Sequence, residues 1–339
     1  MGRCRASAMS APSPRRPRKP READSRGMVN LQMTEIYTSN PMPRRFALGL
    51  VLLLTAANTP LVADPTPEKV FGWLSLRGDS VPTRYSPGSL DRAANVQWRL
   101  EIVMKALGRA GVKIDGINLY LASPEEWQAS GCARPYGLPE TFGSTLMLPA
   151  WGTDRTVALW SELVGAAPSG DGSMPIRGTP EEAGSLVWTD ILAQVEAARV
   201  GLRRAEVRAT APWVLDLLAH LVALAAYERE EPGRLAALDG FFATLSARVA
   251  TAIDPARPLP ELATAERLAA EARFFAMARE VSRDRRGGAA KLANHLLDWG
   301  RKYEGTIPAG ELFSRVEGSR QAYDRAFASP GTTGSRGSR

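Results

Sequence analysis

Asp216 and His220 are the two side chains whose types and spacing most suggest chemistry. They lie four positions apart in Ala211–Glu231, a largely apolar stretch that predicts a buried helix. Side chains at i and i+4 share one helix face, so a carboxylate and an imidazole could hold one metal ion between them. Two ligands make an incomplete zinc site, because catalytic zinc is held by three protein ligands.

The helix predicted just before this pair decides which chemistry is open to the site. A Thr-Pro-Glu-Glu sequence begins at Thr179, with Thr as the cap, Pro at the first position and Glu182 able to reach back to the cap. The helix is predicted to extend to about Arg204. Its central segment, 194–199, reads Gln-Val-Glu-Ala-Ala-Arg.

Several segments accompany the two helices in a distinctive order. They are Tyr-Ser-Pro-Gly at 85–88, Asn-Leu-Tyr-Leu at 118–121, Leu-Met-Leu-Pro at 146–149 after Gly143, and Trp-Val-Leu-Asp-Leu-Leu-Ala at 213–219. Over residues 70–227 this order resembles the gluzincin metallopeptidases of the peptidase-MA-like type. In that family the first helix carries HExxH, and the second begins Trp-x-x-Glu-Gly-x-Ala, whose Glu is the third zinc ligand. Asp216 takes that ligand position here, and Leu217 replaces the Gly.

The chain departs from the family at the zinc ligands. HExxH presents two imidazoles to zinc from one face, while its Glu activates the metal-bound water. With Val195 at the first His position, Glu196 takes the general-base position and Arg199 the second ligand position, and a register that starts at Gln194 gives no His pair either. The chain has two histidines, both outside this helix. The resemblance therefore implies an inactive, zincin-like domain without zinc, in which Arg199 pairs with Glu196 or Asp216.

The first functional hypothesis is a non-catalytic binding or scaffold protein, a pseudoenzyme. The family resemblance implies that a peptide or protein segment docks alongside a strand, in a cleft between an edge strand at Ile117–Leu121 and the helix pair. The residues predicted to line this pocket are Gln194, Arg199, Trp213 and Tyr120. No cofactor is expected in this case.

Two further hypotheses stay open. A hydrolase with an atypical site would use Glu196 as base, with Asp216 and His220 holding zinc or orienting water. The other hypothesis is an unrelated exported α+β binding protein. In that case Asp216 interacts with the helix macrodipole or with Arg199, and His220 is a half-buried helix residue. Nucleophilic catalysis by Cys132 is a weaker candidate, because no His is near it in sequence. Phe274 and Phe275 fit a core stripe better than a cofactor site.

Composition argues against a nucleic-acid partner. The 339 residues carry a formal charge of +7. Residues 1–63 hold ten of the 43 basic and three of the 36 acidic side chains, so this segment accounts for the whole excess of positive charge. The remainder is neutral and has no basic footprint.

An export signal is predicted near the N-terminus. Arg44 and Arg45 precede an apolar run at 46–57, and small residues end at Ala63, a layout typical of a secretory signal peptide at 42–63. The run is shorter than the roughly 20 residues that span a bilayer, so we expect no permanent membrane anchor and a periplasmic or extracellular location. Residues 1–41 are predicted to be a disordered leader or to precede the true start, and 329–339 a disordered tail.

The elements predicted for the rest of the chain give an α+β fold. Residues 64–165 should form a small mixed sheet with one long helix, and 175–328 a helical half. The first half has predicted strands at Val70–Leu76, Ile114–Leu121, Thr145–Pro149 and Thr156–Trp160, a helix after Ser89, and a loop over Ser123–Gly143. The second half has predicted helices at 179–204, 212–230, 234–251, 260–283, 289–302 and 309–327.

Overall fold

The computed structural model confirms the α+β class: a small mixed sheet and one long helix come first, and helices make up the C-terminal half. The residues that the structure describes are 72–165, 179–248, 253–259, 262–283 and 286–327. The signal peptide, leader and tail predicted at 1–63 and 329–339 lie outside these ranges.

The sheet has five strands in the order β1-β2-β3-β5-β4. They are β1 (Leu74–Leu76), β2 (Thr83–Tyr85), β3 (Asn118–Ala122), β4 (Glu140–Phe142) and β5 (Thr145–Pro149). Strands β2, β3 and β5 are parallel, whereas β1 and β4 are antiparallel and form the two edges.

One expectation about this sheet is wrong. The segment Ile117–Leu121 is not an edge strand, because β3 pairs with β2 on one side and with β5 on the other. A strand with both edges paired has no main-chain groups left for a docking peptide. Strand β4, which lies within the predicted loop Ser123–Gly143, is the outer strand instead. That loop also contains a short helix, α2 (Pro124–Ala129).

The helices of the first half are α1 (Leu90–Arg109), as predicted after Ser89, and α3 (Asp154–Val164). The strand predicted at Thr156–Trp160 is wrong, since these residues lie in α3. Thr153 and Thr156 form a capping box at its start, and the buried residues Thr156, Trp160 and Val164 follow a helical spacing. The branched and aromatic residues of this segment favour a strand, but the capping box at its start stabilises a helix.

Among the described residues, the second half is helical apart from a 3-10 turn at Pro232–Arg234 and one parallel pair of two-residue strands, Arg208–Ala209 and Thr306–Ile307. Its helices are α4 (Pro180–Arg204), α5 (Pro212–Glu230), α6 (Leu235–Arg248), α7 (Thr264–Arg283), α8 (Gly288–Lys302), α9 (Ala309–Arg315) and α10 (Ser319–Phe327). Helix α4 starts as predicted: Thr179 and Glu182 form a capping box around Pro180. The single helix predicted at 309–327 is two helices, because Gly318 between them adopts a left-handed φ of 77°.

Helix α5 is the centre of the core. It is buried along nearly its whole length and contacts α1, α4, α7 and α8. One hydrophobic core runs from β2 and α1 through α5 to α10. Within the described residues, no helix combines the length and apolarity that crossing a membrane requires.

Candidate functional site

Three carboxylates enclose the guanidinium of Arg199. Its Nε donates to Asp216 Oδ1 across 2.8 Å, its Nη1 lies 3.1 Å from Glu196 Oε2, and its Nη2 donates to Glu271 Oε2 across 3.1 Å. All four side chains are buried. The carboxylates come from α4, α5 and α7, so this ion cluster joins three helices at one point.

Two further basic residues extend the cluster. Arg267 donates to Glu196 and lies 3.8 Å from Glu271, while Arg134 Nη1 lies 3.5 Å from Glu196. The buried carboxylates are therefore shared among several guanidinium groups. Such sharing is the condition under which buried charges are tolerated in a protein interior.

His220 lies behind Arg199 and contacts the cluster through one nitrogen. Its Nε2 is 2.8 Å from Glu271 Oε2, and its Nδ1 has no hydrogen-bond partner among the described residues. Because an ionised carboxylate only accepts hydrogen bonds, Nε2 carries the proton and donates it to Glu271. Burial lowers the pKa of His220, which holds the imidazole neutral.

The pKa values of the acids diverge within the cluster. Burial raises the pKa of Asp216 to about 6, against the opposing effect of Arg199. Burial also acts to raise the pKa of Glu271, but Arg199 and His220 outweigh it and lower that pKa to about 2. Although burial opposes the charge of Arg199, Glu271, Glu196 and Asp216 raise its pKa well above the ordinary value.

These residues do not fit a zinc centre. The Arg199 guanidinium occupies the space that Glu196, Asp216 and Glu271 enclose, and its charge repels a divalent cation. Across the described part of the chain, no group of three or more His, Cys, Asp or Glu side chains is placed to hold a metal ion. The pairing of Arg199 with Glu196 and Asp216, expected from the sequence, is present.

A cleft of about 350 Å³ opens onto one side of the cluster. Glu196 and Glu271 lie in its floor, and Arg267 forms part of its wall. Asp216 and His220 are behind Arg199, away from the lining. Of the three residues proposed for an atypical hydrolase, only Glu196 therefore faces the cleft.

Strand β4 borders this cleft. Glu140 and Thr141 are among its lining residues, and β4 pairs with β5 on one side. The Thr141 N–H contacts the Glu140 Oε1 at 3.3 Å, and among the described residues no strand pairs with the side of β4 opposite β5. The open edge that a docking peptide needs is thus next to the charged floor.

None of the four residues predicted to line the pocket is part of the cleft lining: Arg199 lies in the buried ion cluster, and the other three lie elsewhere. Gln194 is buried and donates to the Tyr227 hydroxyl. Trp213 stacks on Phe313 with ring centroids 5.4 Å apart. Tyr120 belongs to a small second cluster with Ala122, Trp127 and Met147, where its ring meets Trp73 at 4.8 Å. Trp213 and Tyr120 are packing residues, because both rings are buried against other aromatic rings.

Three residues of the ion cluster were not expected from the sequence: Glu271, Arg267 and Arg134. Glu271 lies on α7 among Leu268, Phe274 and Phe275, which are buried as the core stripe requires. A carboxylate on an apolar helix face signals a buried partner, and Arg267 four residues earlier shares that face. This signal was available in the sequence, but the identity of the partner was not.

Cys132 does not have the environment of a nucleophile. Its Sγ lies 3.2 Å from Met147 Sδ, and burial together with Glu140 raises the pKa of the thiol to about 12. Reactive cysteines have lowered pKa values and basic neighbours that stabilise the thiolate. Cys132 is therefore a packing residue of the second cluster.

Comparison of the chain with protein-family models, curated proteins and solved structures gives no match.

Proposed function

We propose that this protein is a non-catalytic, zincin-like binding protein that accepts an extended peptide segment in the cleft beside β4. One observation carries the proposal: the Arg199 guanidinium lies among Glu196, Asp216 and Glu271, at the point where the family resemblance would put zinc. A fixed internal cation balances the carboxylates and leaves no place for the metal-bound water that peptide hydrolysis by this family needs.

The arrangement of elements supports the zincin-like part of the proposal. Helices α4 and α5 pack against each other, and they bring Glu196 and Asp216 to the same guanidinium. The sheet ends in an antiparallel strand, β4, whose residues border the cleft over Glu196.

The peptide-binding part rests on β4. An extended peptide adds to an open sheet edge through main-chain hydrogen bonds, and pockets for its alternate side chains supply specificity. In this proposal the unpaired side of β4 offers main-chain groups to the peptide, after the Thr141 N–H exchanges its contact with Glu140, and the cleft beside β4 receives peptide side chains. Its wall includes Leu138, Leu192 and Leu268, which suit an apolar side chain.

Export is part of the proposal and rests on the sequence. The basic pair Arg44-Arg45 and the apolar run at 46–57 would direct the chain to the periplasm or the medium. There, extended segments of other exported proteins are available as ligands.

A peptide-array experiment tests this function. The purified full chain is screened against decapeptides with acetylated and amidated ends, and the tightest sequence is measured by fluorescence anisotropy. We expect saturable binding, and mass spectrometry should detect no cleavage of the bound peptide. N-methylation of alternate peptide residues in one register should abolish binding, whereas the other register serves as the matched control, because only one set of N–H groups faces β4.

Three outcomes would overturn the proposal. They are no saturable binding of any array peptide, equal loss in both N-methylation registers, and hydrolysis of a bound peptide. The variant Thr141→Pro gives a second arm, because it removes the edge N–H and should weaken binding, and its melting temperature reports whether it is folded. Elemental analysis should find no stoichiometric zinc in the same preparation.

A further inference from the structure

Three arginines line the cleft, and two of them already have carboxylate partners. Arg134 lies 3.6 Å from Glu140 and also contacts Glu196, and Arg267 contacts Glu196 and Glu271. These interactions fix both guanidinium groups against the floor and wall. Neither is free to bind a ligand without breaking an existing ion pair.

Arg203 is the third arginine of the lining and differs from the other two. It is exposed in the last turn of α4 and makes no hydrogen bond or ion pair with another described residue, although it interacts electrostatically with the nearby charges of Glu196, Arg199, Asp216 and Arg134. Its neighbour Arg204 instead donates to the Gly116 carbonyl oxygen across 2.6 Å and lies 3.9 Å from Asp115. The helix macrodipole favours a cation at this end of α4, but it accounts equally for both arginines and does not supply Arg203 with a partner.

The acids of the cleft are all engaged. Glu196 and Glu271 are shared among arginines and His220, and Glu140 accepts from the Arg134 main-chain N–H across 2.9 Å. A basic side chain on a ligand would therefore find no unpaired carboxylate. An acidic side chain would find Arg203.

We infer that the cleft selects peptide segments carrying an Asp or Glu side chain, which pairs with the exposed Arg203 in the cleft lining. This inference rests on the proposed peptide-binding function and names the class of ligand. Arginine suits the role because its planar guanidinium binds a carboxylate through two parallel hydrogen bonds. Arg203 is a specificity-determining residue that makes no ion pair within the buried cluster, although it lies close enough to interact with the charges of that cluster.

Paired probes test the inference. The array peptide that binds best is made with Glu, Gln or Lys at each position in turn, with both ends blocked, and Kd is measured with the full chain. At one position the Glu probe should bind about three- to tenfold more tightly than the Gln probe, as expected for a charge-assisted pair at a partly exposed rim. The Lys probe should bind more weakly than either.

Charge reversal at Arg203 gives the decisive comparison. The variant Arg203→Glu should invert the preference, so that the Lys probe binds better than the Glu probe. The control Arg208→Glu makes the same charge change at an exposed residue outside the cleft lining and should keep the wild-type preference. Thermal melts of both variants verify folding.

The outcomes separate this inference from the function it rests on. Saturable binding with no preference for Glu, or a preference that Arg203→Glu leaves unchanged, overturns the role of Arg203 and leaves peptide binding intact. Tighter binding of a Gln probe with an unblocked C-terminus than of the end-blocked Glu probe overturns the stated ligand class. Absence of binding by every probe overturns the proposed function itself.

Discussion

Arg199 Nε donates a hydrogen bond to Asp216 Oδ1 across 2.8 Å and so links α4 to α5 in the interior. Because Glu196 and Glu271 meet the other two nitrogens of the same guanidinium, one side chain contacts acids from three helices, while Arg267 and Arg134 supply further positive charge. The stability of the helical half should therefore depend on this residue more than on any single apolar contact.

Replacement of Arg199 tests that dependence. Arg199→Ala leaves three buried carboxylates short of a counter-charge and should lower the free energy of unfolding by about 3–5 kcal/mol. Arg199→Lys should lower the free energy of unfolding by less, because the ammonium keeps the positive charge. Some loss is still expected, since the ammonium cannot reach three separated acceptors at once. Urea unfolding at neutral pH measures both, and a loss under about 1 kcal/mol for Arg199→Ala would contradict the structure.

Acidification should destabilise the protein through His220. The pKa of His220 is lowered in the folded chain, so its contribution to stability is complete above the unfolded value of 6.5 and is lost as the pH falls below it. His220→Gln keeps a donor for Glu271 but cannot titrate. As the pH is lowered from 7.5 to 5, the urea midpoint of unfolding should fall in the wild type and should fall less in the variant. Parallel curves would show that His220 is not buried in the neutral form.

Asp216 should act in the opposite sense over a neighbouring range. Its pKa is raised from 3.8 to about 6, so the folded chain binds a proton that the unfolded chain does not, and this contribution is lost as the pH rises from 3.8 through 6. The two pKa values correspond to a free energy of about 3 kcal/mol. Asp216→Asn removes this term, so the loss of stability between pH 6 and 4 should become steeper than in the wild type. A shallower slope in the same unfolding series would be inconsistent with a raised pKa.

A pair of glycine substitutions tests the contact between the sheet half and α4. A Cβ added at Gly152 would lie 2.2 Å from the Glu182 carbonyl oxygen, whereas one added at Gly108 would meet nothing within 4 Å. Gly152→Ala should destabilise by about 1–3 kcal/mol through overpacking. Gly108→Ala should stabilise α1 by about 0.5–1 kcal/mol through the entropy of the unfolded chain. Equal melting temperatures for the two variants would argue against the close approach.

The reactivity of Cys132 provides a test of the second cluster. With Cys4→Ser as the background, Cys132 is the remaining thiol of the chain. Because burial and Glu140 raise its pKa to about 12, alkylation by iodoacetamide at pH 8 should be far slower than in the same chain unfolded by guanidinium. Comparable rates in the two states would mean that the thiol is accessible.

Local patterns predicted the elements but not all of their partners. The capping box at Thr179 fixes the start of α4 within a few residues, and the Arg199 pairing with Glu196 follows from their spacing on one helix. The contact with Asp216 required the assumption that two consecutive helices pack together. Glu271 could not be placed, because it approaches Arg199 only through the packing of a helix 72 residues further along.

The errors have equally local causes. Thr156–Trp160 is rich in residues that favour strands, yet the Thr153–Thr156 cap commits it to a helix. The edge of the sheet was misplaced because β4 is only three residues long and lies in a segment rich in Pro and Gly. Neither propensity nor periodicity identifies so short a strand, although its position determines where a ligand would dock.

The distance along the chain between Arg199 and Glu271 also sets an order of events during synthesis. Ribosomes add about 5–20 residues per second, so residue 271 emerges roughly 4–14 s after residue 199. Throughout that interval the nascent α4–α5 hairpin holds an arginine without its farthest counter-ion. Until α7 docks, Arg199 lacks Glu271 as a partner, so chains that end before residue 264 should remain sensitive to protease.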